Sequence, residues 1–305
     1  MISTKANPGF KNLVFAVLLL ATAAAHAGYE LGHAAYKHGD YATALREFTS
    51  EAARGDIRSQ NTLGVMYEKG QGVPVDNARA LSWYRKAAAK GFAPAETSVG
   101  YFYAEGLAVT RDYAQAMVWY RKAAAQNFAQ AQNNIGAMYE NGRGVAQDLP
   151  QAVSWYRKAA EQGLASGQTN LGYLYARGKG VTKDDAMAVD LYRKAAEQNY
   201  ALAQNNLGFM IAEGRGAPQD YASAAEWYKK AAMQKLGLAQ FNLARLYENG
   251  KGVAQSDTQA FSWFQQSAEA GYRPAMRRLT QIYTRGLLGQ QIDPEKARYW
   301  TDKAQ

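Results

Sequence analysis

The chain has 305 residues, of which 48% are hydrophobic and 12% aromatic, and it contains no cysteine. That apolar content can form a large core and argues against intrinsic disorder, while the lack of cysteine excludes disulfides and thiolate metal sites. The formal net charge of +9 is compatible with an anionic partner but does not identify one.

The first 27 residues have the pattern of a secretory signal peptide. A basic start is followed by an apolar run at residues 13–25 and by a small-x-small cleavage pattern at Ala25 and Ala27. Since a bilayer-spanning helix needs about 20 apolar residues, the run is too short to be an anchor. We therefore expect cleavage after Ala27, export to the periplasm or the medium, no stable membrane insertion and no nucleic-acid partner.

Residues 55–305 repeat with a period of 36, and such self-similarity indicates a stacked structural unit. One series consists of tryptophans with a single leucine, and two glycine series keep the same register. The first series is Trp83, Trp119, Trp155, Leu191, Trp227 and Trp263, followed by Trp300. The glycine series are Gly64, Gly100, Gly136, Gly172 and Gly208, and Gly70, Gly106, Gly142, Gly178, Gly214, Gly250 and Gly286.

Each unit is predicted to contain two amphipathic helices. In residues 129–162, apolar side chains recur at helical spacing in both halves. The first helix is expected to end at Gly142 and the second to begin after Asp148, which can cap backbone N–H groups. This cap recurs as Asp40, Asp76, Asp112, Asp148, Asp184, Asp220, Ser256 and Asp293. A residue repeated in every unit is predicted to be structural and not catalytic.

The glycine inside each first helix is predicted to mark a close approach of two helices. A glycine there costs about 0.5–1 kcal/mol relative to alanine, so a compensating contact is expected. Small residues stand opposite in the second helices, at Ala116, Ala152, Ala188, Ala224 and Ala260.

The repeated pattern A-x-x-x-x-L-G-x-x-Y-x-x-G-x-G-V-x-x-D-x-x-x-A-x-x-W-Y-x-K-A-A resembles the Sel-one-like repeat (SLR) family, a relative of the tetratricopeptide repeat. Residues 28–54, with a short turn at Gly39 and Asp40, are similar to one tetratricopeptide helix pair and are expected to cap the stack. The match weakens near Leu288, which replaces a loop glycine. Seven units are predicted at about 55–91, 92–127, 128–163, 164–199, 200–235, 236–271 and 272–305.

The resemblance implies an all-α fold, a right-handed superhelical solenoid of antiparallel helix pairs whose first helices line a concave groove. It also implies a monomeric, non-catalytic scaffold or adaptor that binds a protein or peptide. Exported bacterial members include regulators, secretion scaffolds and host-contact factors, and the sequence does not choose among them.

An enzymatic alternative follows from the same resemblance, because some exported members have been described as penicillin-binding or β-lactamase-like. The chain has no Ser-x-x-Lys, Ser-Asp-Asn, Lys-Thr-Gly, Gly-x-Ser-x-Gly or His-Glu-x-x-His motif. After the expected cleavage only His33 and His38 remain, and their spacing on a helix is poor for chelation. We therefore predict no catalytic residue, no metal site and no cofactor.

A second alternative is a polysaccharide or envelope-surface binder that uses a basic ridge on the second helices. The ridge is formed by pairs of basic residues after the Trp-Tyr dipeptides, and its simpler interpretation is a solvated outer face. The pairs are residues 85–86, 121–122, 157–158, 193–194 and 229–230.

Partner-binding residues are sought where the repeats differ, because packing enforces similarity while a ligand requires particular side chains. Aligned on the mid-helix glycine, two variable positions are expected to face the groove if tetratricopeptide geometry applies. They supply the candidates Tyr101, Asn133, Tyr173, Asn205, Phe209 and Arg245. A ladder of Asn134, Asn170, Asn206 and Asn242 is interpreted either as internal hydrogen bonding between units or as a clamp for a peptide backbone.

Overall fold

The computed structural model describes residues 28–304, which form sixteen α-helices and no strand. The helices are α1 (28–37), α2 (Tyr41–Ala53), α3 (Ile57–Lys69), α4 (Asn77–Ala88), α5 (Ala93–Glu105), α6 (Tyr113–Ala125), α7 (Ala129–Asn141), α8 (Leu149–Glu161), α9 (Ala165–Arg177), α10 (Asp185–Glu197), α11 (Ala201–Ala212), α12 (Tyr221–Met233), α13 (Gly237–Asn249), α14 (Asp257–Glu269), α15 (Arg273–Arg285) and α16 (Pro294–Lys303). The predicted all-α fold of helix pairs is confirmed. The predicted signal peptide lies outside the described residues.

The helices group into two compact units, each described by itself. Unit 1 comprises residues 28–138 and 142–146, and unit 2 comprises residues 139–141 and 147–304. Within each unit, consecutive helices pack against each other, so that a first helix contacts both the second helix of its own repeat and the second helix of the preceding repeat. The core therefore runs along the interior of each unit as a series of connected apolar clusters.

The predicted caps are confirmed. In each second helix the side chain of the capping residue accepts a backbone N–H, as at Asp148 Oδ1, which accepts from Gln151 N at 2.9 Å. The first helices from α5 onward use another device, because their N-cap residue is apolar and makes no side-chain cap bond. These residues are Phe92, Phe128, Leu164, Tyr200, Leu236 and Tyr272. This second kind of helix start, with an apolar N-cap residue, was not predicted from the sequence.

The predicted close approach at the mid-helix glycines is also confirmed. A Cβ at Gly100 would lie 2.6 Å from Cε1 of Tyr120 and 3.2 Å from the carbonyl oxygen of Ala116. A Cβ at Gly208 would lie 3.0 Å from the ring of Tyr228. The predicted alanine therefore contributes its backbone, while a tyrosine that the sequence analysis did not single out fills the space beside the glycine.

These tyrosines form a buried ladder along the chain. Its members are Tyr84, Tyr120, Tyr156, Tyr192 and Tyr228, all less than 5% exposed. The hydroxyls of Tyr84 and Tyr156 donate to Oε2 of Glu68 at 2.5 Å and of Glu140 at 2.7 Å. Burial raises the pKa of all five phenols above 10, and at Tyr84 and Tyr156 the hydrogen-bonded carboxylate raises the pKa further. The five phenols are therefore neutral in the folded chain, and those of Tyr84 and Tyr156 act as hydrogen-bond donors.

The interhelix loops join neighbouring repeats through a junction residue, which stands between the two loop glycines. Arg215 Nη2 donates to Asp185 Oδ1 at 2.6 Å, and Arg215 Nε donates to Asp185 Oδ2 at 3.2 Å. At the corresponding place, the Lys251 ammonium lies 5.0 Å from the ring centroid of Tyr221. In both loops the junction residue contacts the first residue of the preceding second helix, but the chemistry of the contact differs. Two other junctions pair Gln71 with Tyr41 and Arg143 with Tyr113.

The second loop glycine permits this approach of loop to helix. At Gly144, φ is +69° and a Cβ would lie 2.7 Å from the carbonyl carbon of Tyr113, so both backbone conformation and space favour glycine. In the last loop Leu288 takes the place of the second glycine and itself adopts a left-handed backbone conformation, with φ +52°. It is followed by Gly289, with φ +70°.

Candidate functional site

The variable position one residue after the mid-helix glycine is exposed in the repeats that carry aromatic or basic residues there. Tyr101, Tyr173 and Phe209 are 43%, 36% and 43% exposed, and Arg245 is also exposed. Large rings exposed at equivalent points of successive helices are unusual in a fold that buries most of its apolar side chains. These four candidates therefore lie where a partner could reach them.

The other predicted groove position is buried, so that part of the prediction is wrong. Asn133 and Asn205 are only 7% and 3% exposed. Asn205 accepts a hydrogen bond from Nδ2 of Asn242 at 2.9 Å and donates to Oδ1 of Asn206 at 3.3 Å. The position points toward the neighbouring first helix, so its amide is used to connect repeats and is not presented to a partner.

The asparagine ladder makes hydrogen bonds within the chain, and the one donated by Asn242 joins neighbouring repeats. Asn134 accepts from Nε2 of Gln130 at 3.0 Å, and Asn242 bonds to Asn205 of the preceding repeat. Burial raises the pKa of Tyr192, and a hydrogen bond with Asn206 lowers it by a smaller amount. Internal bonding does not remove these amides from the surface, because Asn134, Asn206 and Asn242 each line a cleft.

Three clefts open between adjacent first helices. The Tyr101 cleft, of about 230 Å³, is in unit 1. The Tyr173 cleft, of about 110 Å³, and the Arg245 cleft, of about 120 Å³, are neighbours in unit 2 and share Phe209 as a wall. Sequence comparison of the repeats missed the loop residues that complete these walls, Arg143 and Lys251, because a loop side chain reaches the first-helix face only through the fold.

The two clefts of unit 2 are predominantly basic. The Arg177 guanidinium and the Lys179 ammonium lie 5.8 and 5.2 Å from the ring centroid of Tyr173. The exposed bases of these clefts and their rim, which we call the unit 2 basic face, are Arg177, Lys179, Arg245 and Lys251. The exposed acid of the Arg245 cleft is Glu213. Phe209 therefore lines both clefts together with basic residues, Arg177 in one and Arg245 and Lys251 in the other.

The basic ridge on the second helices is held against the chain's own aromatic residues. Lys158 Nζ lies 4.1 Å from the ring centroid of Trp155, and equivalent contacts of 3.8 to 4.1 Å occur at Lys86, Lys122 and Lys230. Where Leu191 replaces the tryptophan, Lys194 instead pairs with Asp190 at 2.8 Å. Such cation–π contacts stabilise the helix surface, which favours the structural interpretation of the ridge.

Residues 28–304 contain no candidate for two further classes of site, metal centres and membrane spans. No group of three or more potential metal ligands of the His, Cys, Asp and Glu types comes together in this part of the chain. Among the same residues, no helix combines the length and apolarity that a membrane span requires.

Comparison with known proteins places the chain among helical repeat proteins. The Sel1 repeat model matches seven segments, residues 57–92, 93–128, 129–164, 165–200, 201–236, 237–272 and 273–304. The number agrees with the seven predicted units, and the bounds agree to within two residues. A search of curated proteins gives no match.

Three solved structures illustrate the similarity. A protective antigen of uropathogenic Escherichia coli that displays an SLR fold is 36% identical with a TM-score of 0.69, over 92% of this chain and 61% of that one. A Sel1 repeat protein of Oxalobacter formigenes is 34% identical with a TM-score of 0.72, over 81% of this chain and 96% of that one. An immunity protein of Pseudomonas aeruginosa, 18% identical with a TM-score of 0.51 over 68% and 80% of the two chains, shares the fold.

The chain thus spans 61% of the length of the E. coli antigen and nearly all of the O. formigenes protein. Sel1 repeats generally form non-catalytic helical scaffolds. On the seven matched segments and the two relatives above 30% identity, the chain belongs to the Sel1 repeat family.

Proposed function

We propose that this chain is an exported, non-catalytic scaffold that binds a segment of a partner protein along the first-helix face. Sel1 repeats generally bind proteins, and this face carries the side chains that differ between repeats. Aromatic residues and arginine are enriched in protein interfaces. The residues assigned to contact the partner are Tyr173, Phe209 and Arg245 of unit 2, where Asn206 and Asn242 line the same clefts. Tyr101 is assigned to the separate cleft of unit 1.

The observation that carries the proposal is the position of Phe209. Its ring is 43% exposed and forms a wall of both clefts of unit 2. An apolar side chain of a partner that enters either cleft removes the exposed part of this ring from water. Full burial of an exposed phenylalanine contributes about 1.5–3 kcal/mol, and burial of the exposed 43% contributes a corresponding part of that.

The charge around Phe209 indicates the chemistry of the partner segment. Arg177, Lys179, Arg245 and Lys251 outnumber the single acid Glu213. A segment with an apolar residue flanked by aspartate or glutamate complements this face, whereas a basic segment is repelled.

Export is supported by the signal-peptide pattern alone. An intact mass that corresponds to a chain starting at Gly28 is its test.

The binding site is tested with a pull-down from the native periplasm or medium, with the mature chain as bait. The triple variant Tyr173→Ala, Phe209→Ala, Arg245→Ala should keep its circular dichroism spectrum and lose the partner, because truncating an anchor costs about 2 kcal/mol or more, roughly thirtyfold in affinity. The matched control reverses the charges of four ridge residues and should retain capture. Those residues are Arg121, Lys122, Arg157 and Lys158.

A direct assay tests the charge preference. A fluorescent peptide with a central phenylalanine flanked by glutamates should bind more tightly than the same peptide flanked by lysines, and its binding should weaken as salt screens the charges. If the lysine peptide binds equally well, the assignment of an acidic partner is wrong. If the ridge variant loses the native partner while the triple variant keeps it, the ridge is the binding surface and the glycan or envelope alternative gains support.

A further inference from the structure

The N-terminal helix pair contains a buried carboxylate that is only partly satisfied. The side chain of Glu51 in α2 is 3% exposed. Its Oε1 accepts from Nη1 of Arg54 at 2.6 Å, while its Oε2 is buried and has no hydrogen-bond partner among residues 28–304. Burying a carboxylate oxygen without a hydrogen bond destabilises the folded chain. A further cationic or N–H group is therefore expected beside it.

The backbone that lies beside this carboxylate is that of Gly28. A Cβ at Gly28 would come closest to Oε1 of Glu51 and would lie 2.7 Å from its Cδ and 3.0 Å from its Cγ, so the carboxyl group occupies the space that a side chain at residue 28 would need. An amide nitrogen lies about 2.5 Å from the Cβ position of its own residue. The nitrogen of Gly28 is therefore within about 5 Å of the Glu51 carboxyl carbon.

Cleavage after Ala27 changes the chemistry of that nitrogen. Hydrolysis breaks the peptide bond between Ala27 and Gly28, with the oxygen of water passing to the Ala27 carboxylate. The released amine of Gly28 takes up a proton. We infer that Glu51 is the counter-ion of the α-ammonium group that signal-peptide removal creates on Gly28. The inference rests on the cleavage site given under the proposed function, and it makes Glu51 a binding site for the processed chain end.

The surrounding charges leave room for this pair. Arg54 is 59% exposed and bonds to only one oxygen of Glu51. Glu30 and Arg58 pair with each other at 3.7 Å, and Glu47 of α2 bonds to Arg46. Residues 28–37 are helical, and a positive charge at a helix N-terminus is unfavourable against the helix dipole. The carboxylate of Glu51 offsets that repulsion and ties α1 to α2.

A two-by-two comparison tests the pair. The mature chain is released from a fusion by a protease that leaves Gly28 first, and the α-amine is either free or acetylated. Each form is prepared with Glu51 and with Glu51→Gln. Acetylation should lower the melting temperature of the wild-type chain by about 2–4 °C. In Glu51→Gln it should leave the melting temperature unchanged or raise it, because it removes a charge that the helix dipole disfavours. Glu47→Gln, on the same helix, should respond to acetylation as the wild type does.

The second readout is the pKa of the Gly28 α-amine, followed by NMR across a pH titration. A neighbouring carboxylate favours the ammonium form, so this pKa should be higher in the wild type than in Glu51→Gln. Should Glu51→Gln fail to fold, Gly28→Ala serves instead, because its Cβ displaces the carboxyl group and should abolish the acetylation effect. An equal acetylation effect and an equal pKa with and without Glu51 would overturn the inference and leave export intact. An exported chain that begins at another residue would overturn both the inference and the proposed cleavage site.

Discussion

The ring of Tyr120 occupies the place beside Gly100 where a side chain would otherwise be, 2.6 Å from the Cβ position. The same relationship joins Gly64 to Tyr84 at 2.5 Å and Gly208 to Tyr228 at 3.0 Å. Two helices of a repeat can approach this closely only if one of them lacks a Cβ at the contact. The helix-propensity cost of the glycine is therefore offset by the burial of a tyrosine ring.

Replacing Gly100 by alanine should destabilise the chain by about 1–3 kcal/mol, because the added methyl overpacks a core contact. Gly208→Ala is the matched comparison and should cost less, since its contact is 0.4 Å longer in the same geometry (2.6 against 3.0 Å). Chemical denaturation of both variants measures the difference. Equal losses, or a gain at Gly100, would show that the ring moves aside and that the close contact does not set the helix spacing.

The tyrosine ladder predicts a characteristic alkaline transition. Burial holds the pKa of Tyr84, Tyr120, Tyr156, Tyr192 and Tyr228 above the unfolded value near 10. The folded chain keeps these protons at a pH where the unfolded chain loses them, so the stability that they contribute is complete below about pH 10 and declines as the pH rises above it.

Ultraviolet absorbance of tyrosinate, recorded together with circular dichroism, measures this transition. Exposed tyrosines should ionise first, and the ladder should ionise only as the helices unfold. The variant Tyr156→Phe should remove one late-titrating group. Complete ionisation of all tyrosines with an unchanged helical spectrum would contradict the prediction.

The junction between Asp185 and Arg215 predicts an acid-dependent contribution to stability. Hydrogen bonds from Arg215 hold the pKa of Asp185 below its usual range. The stabilisation is therefore present above the unfolded pKa of about 3.9 and is lost as the pH falls through the lower folded value. The two-point contact with a partly buried arginine should contribute about 0.5–1 kcal/mol.

A double-mutant cycle with Asp185→Asn and Arg215→Met, measured at neutral and at acidic pH, isolates this contribution. The coupling should be present at neutral pH and absent in strong acid. Asp190→Asn is the control, because Asp190 pairs with Lys194 on an exposed helix surface and should show a much smaller effect. A coupling that does not change with pH would exclude the ion pair as its source.

Much of the fold could be predicted from the sequence because it depends on local backbone requirements. The αL residue at Gly142, the N-cap at Asp148 and the missing Cβ at Gly100 are each visible as a residue type at a fixed spacing. All three predictions are confirmed. The contact of Gly100 with Tyr120 was harder to predict, because an aromatic residue next to a tryptophan indicates only that the position is in the core. Which residue it contacts depends on how the two helices pack.

The candidate site was only partly predictable. Exposure at Tyr173 and Phe209 followed from aligning the repeats, but Asn205 was placed wrongly, because its orientation depends on the rotation of one first helix against the next. Lys251 was missed, since it reaches the first-helix face from a loop. The proximity of Glu51 to Gly28 joins two helices and has no periodic counterpart in the sequence.

The changing junction residues have a consequence for how the chain can be rearranged. Although the seven repeats share one backbone plan, four interhelix loops contact the preceding second helix through different residue pairs. These pairs are Gln71 with Tyr41, Arg143 with Tyr113, Arg215 with Asp185 and Lys251 with Tyr221. Moving, deleting or duplicating one repeat would place such a loop residue next to a helix residue with which it does not pair. The order of the repeats therefore contributes to the stability of the folded chain. Variants with the same repeats in another order should differ in stability even though their composition is identical.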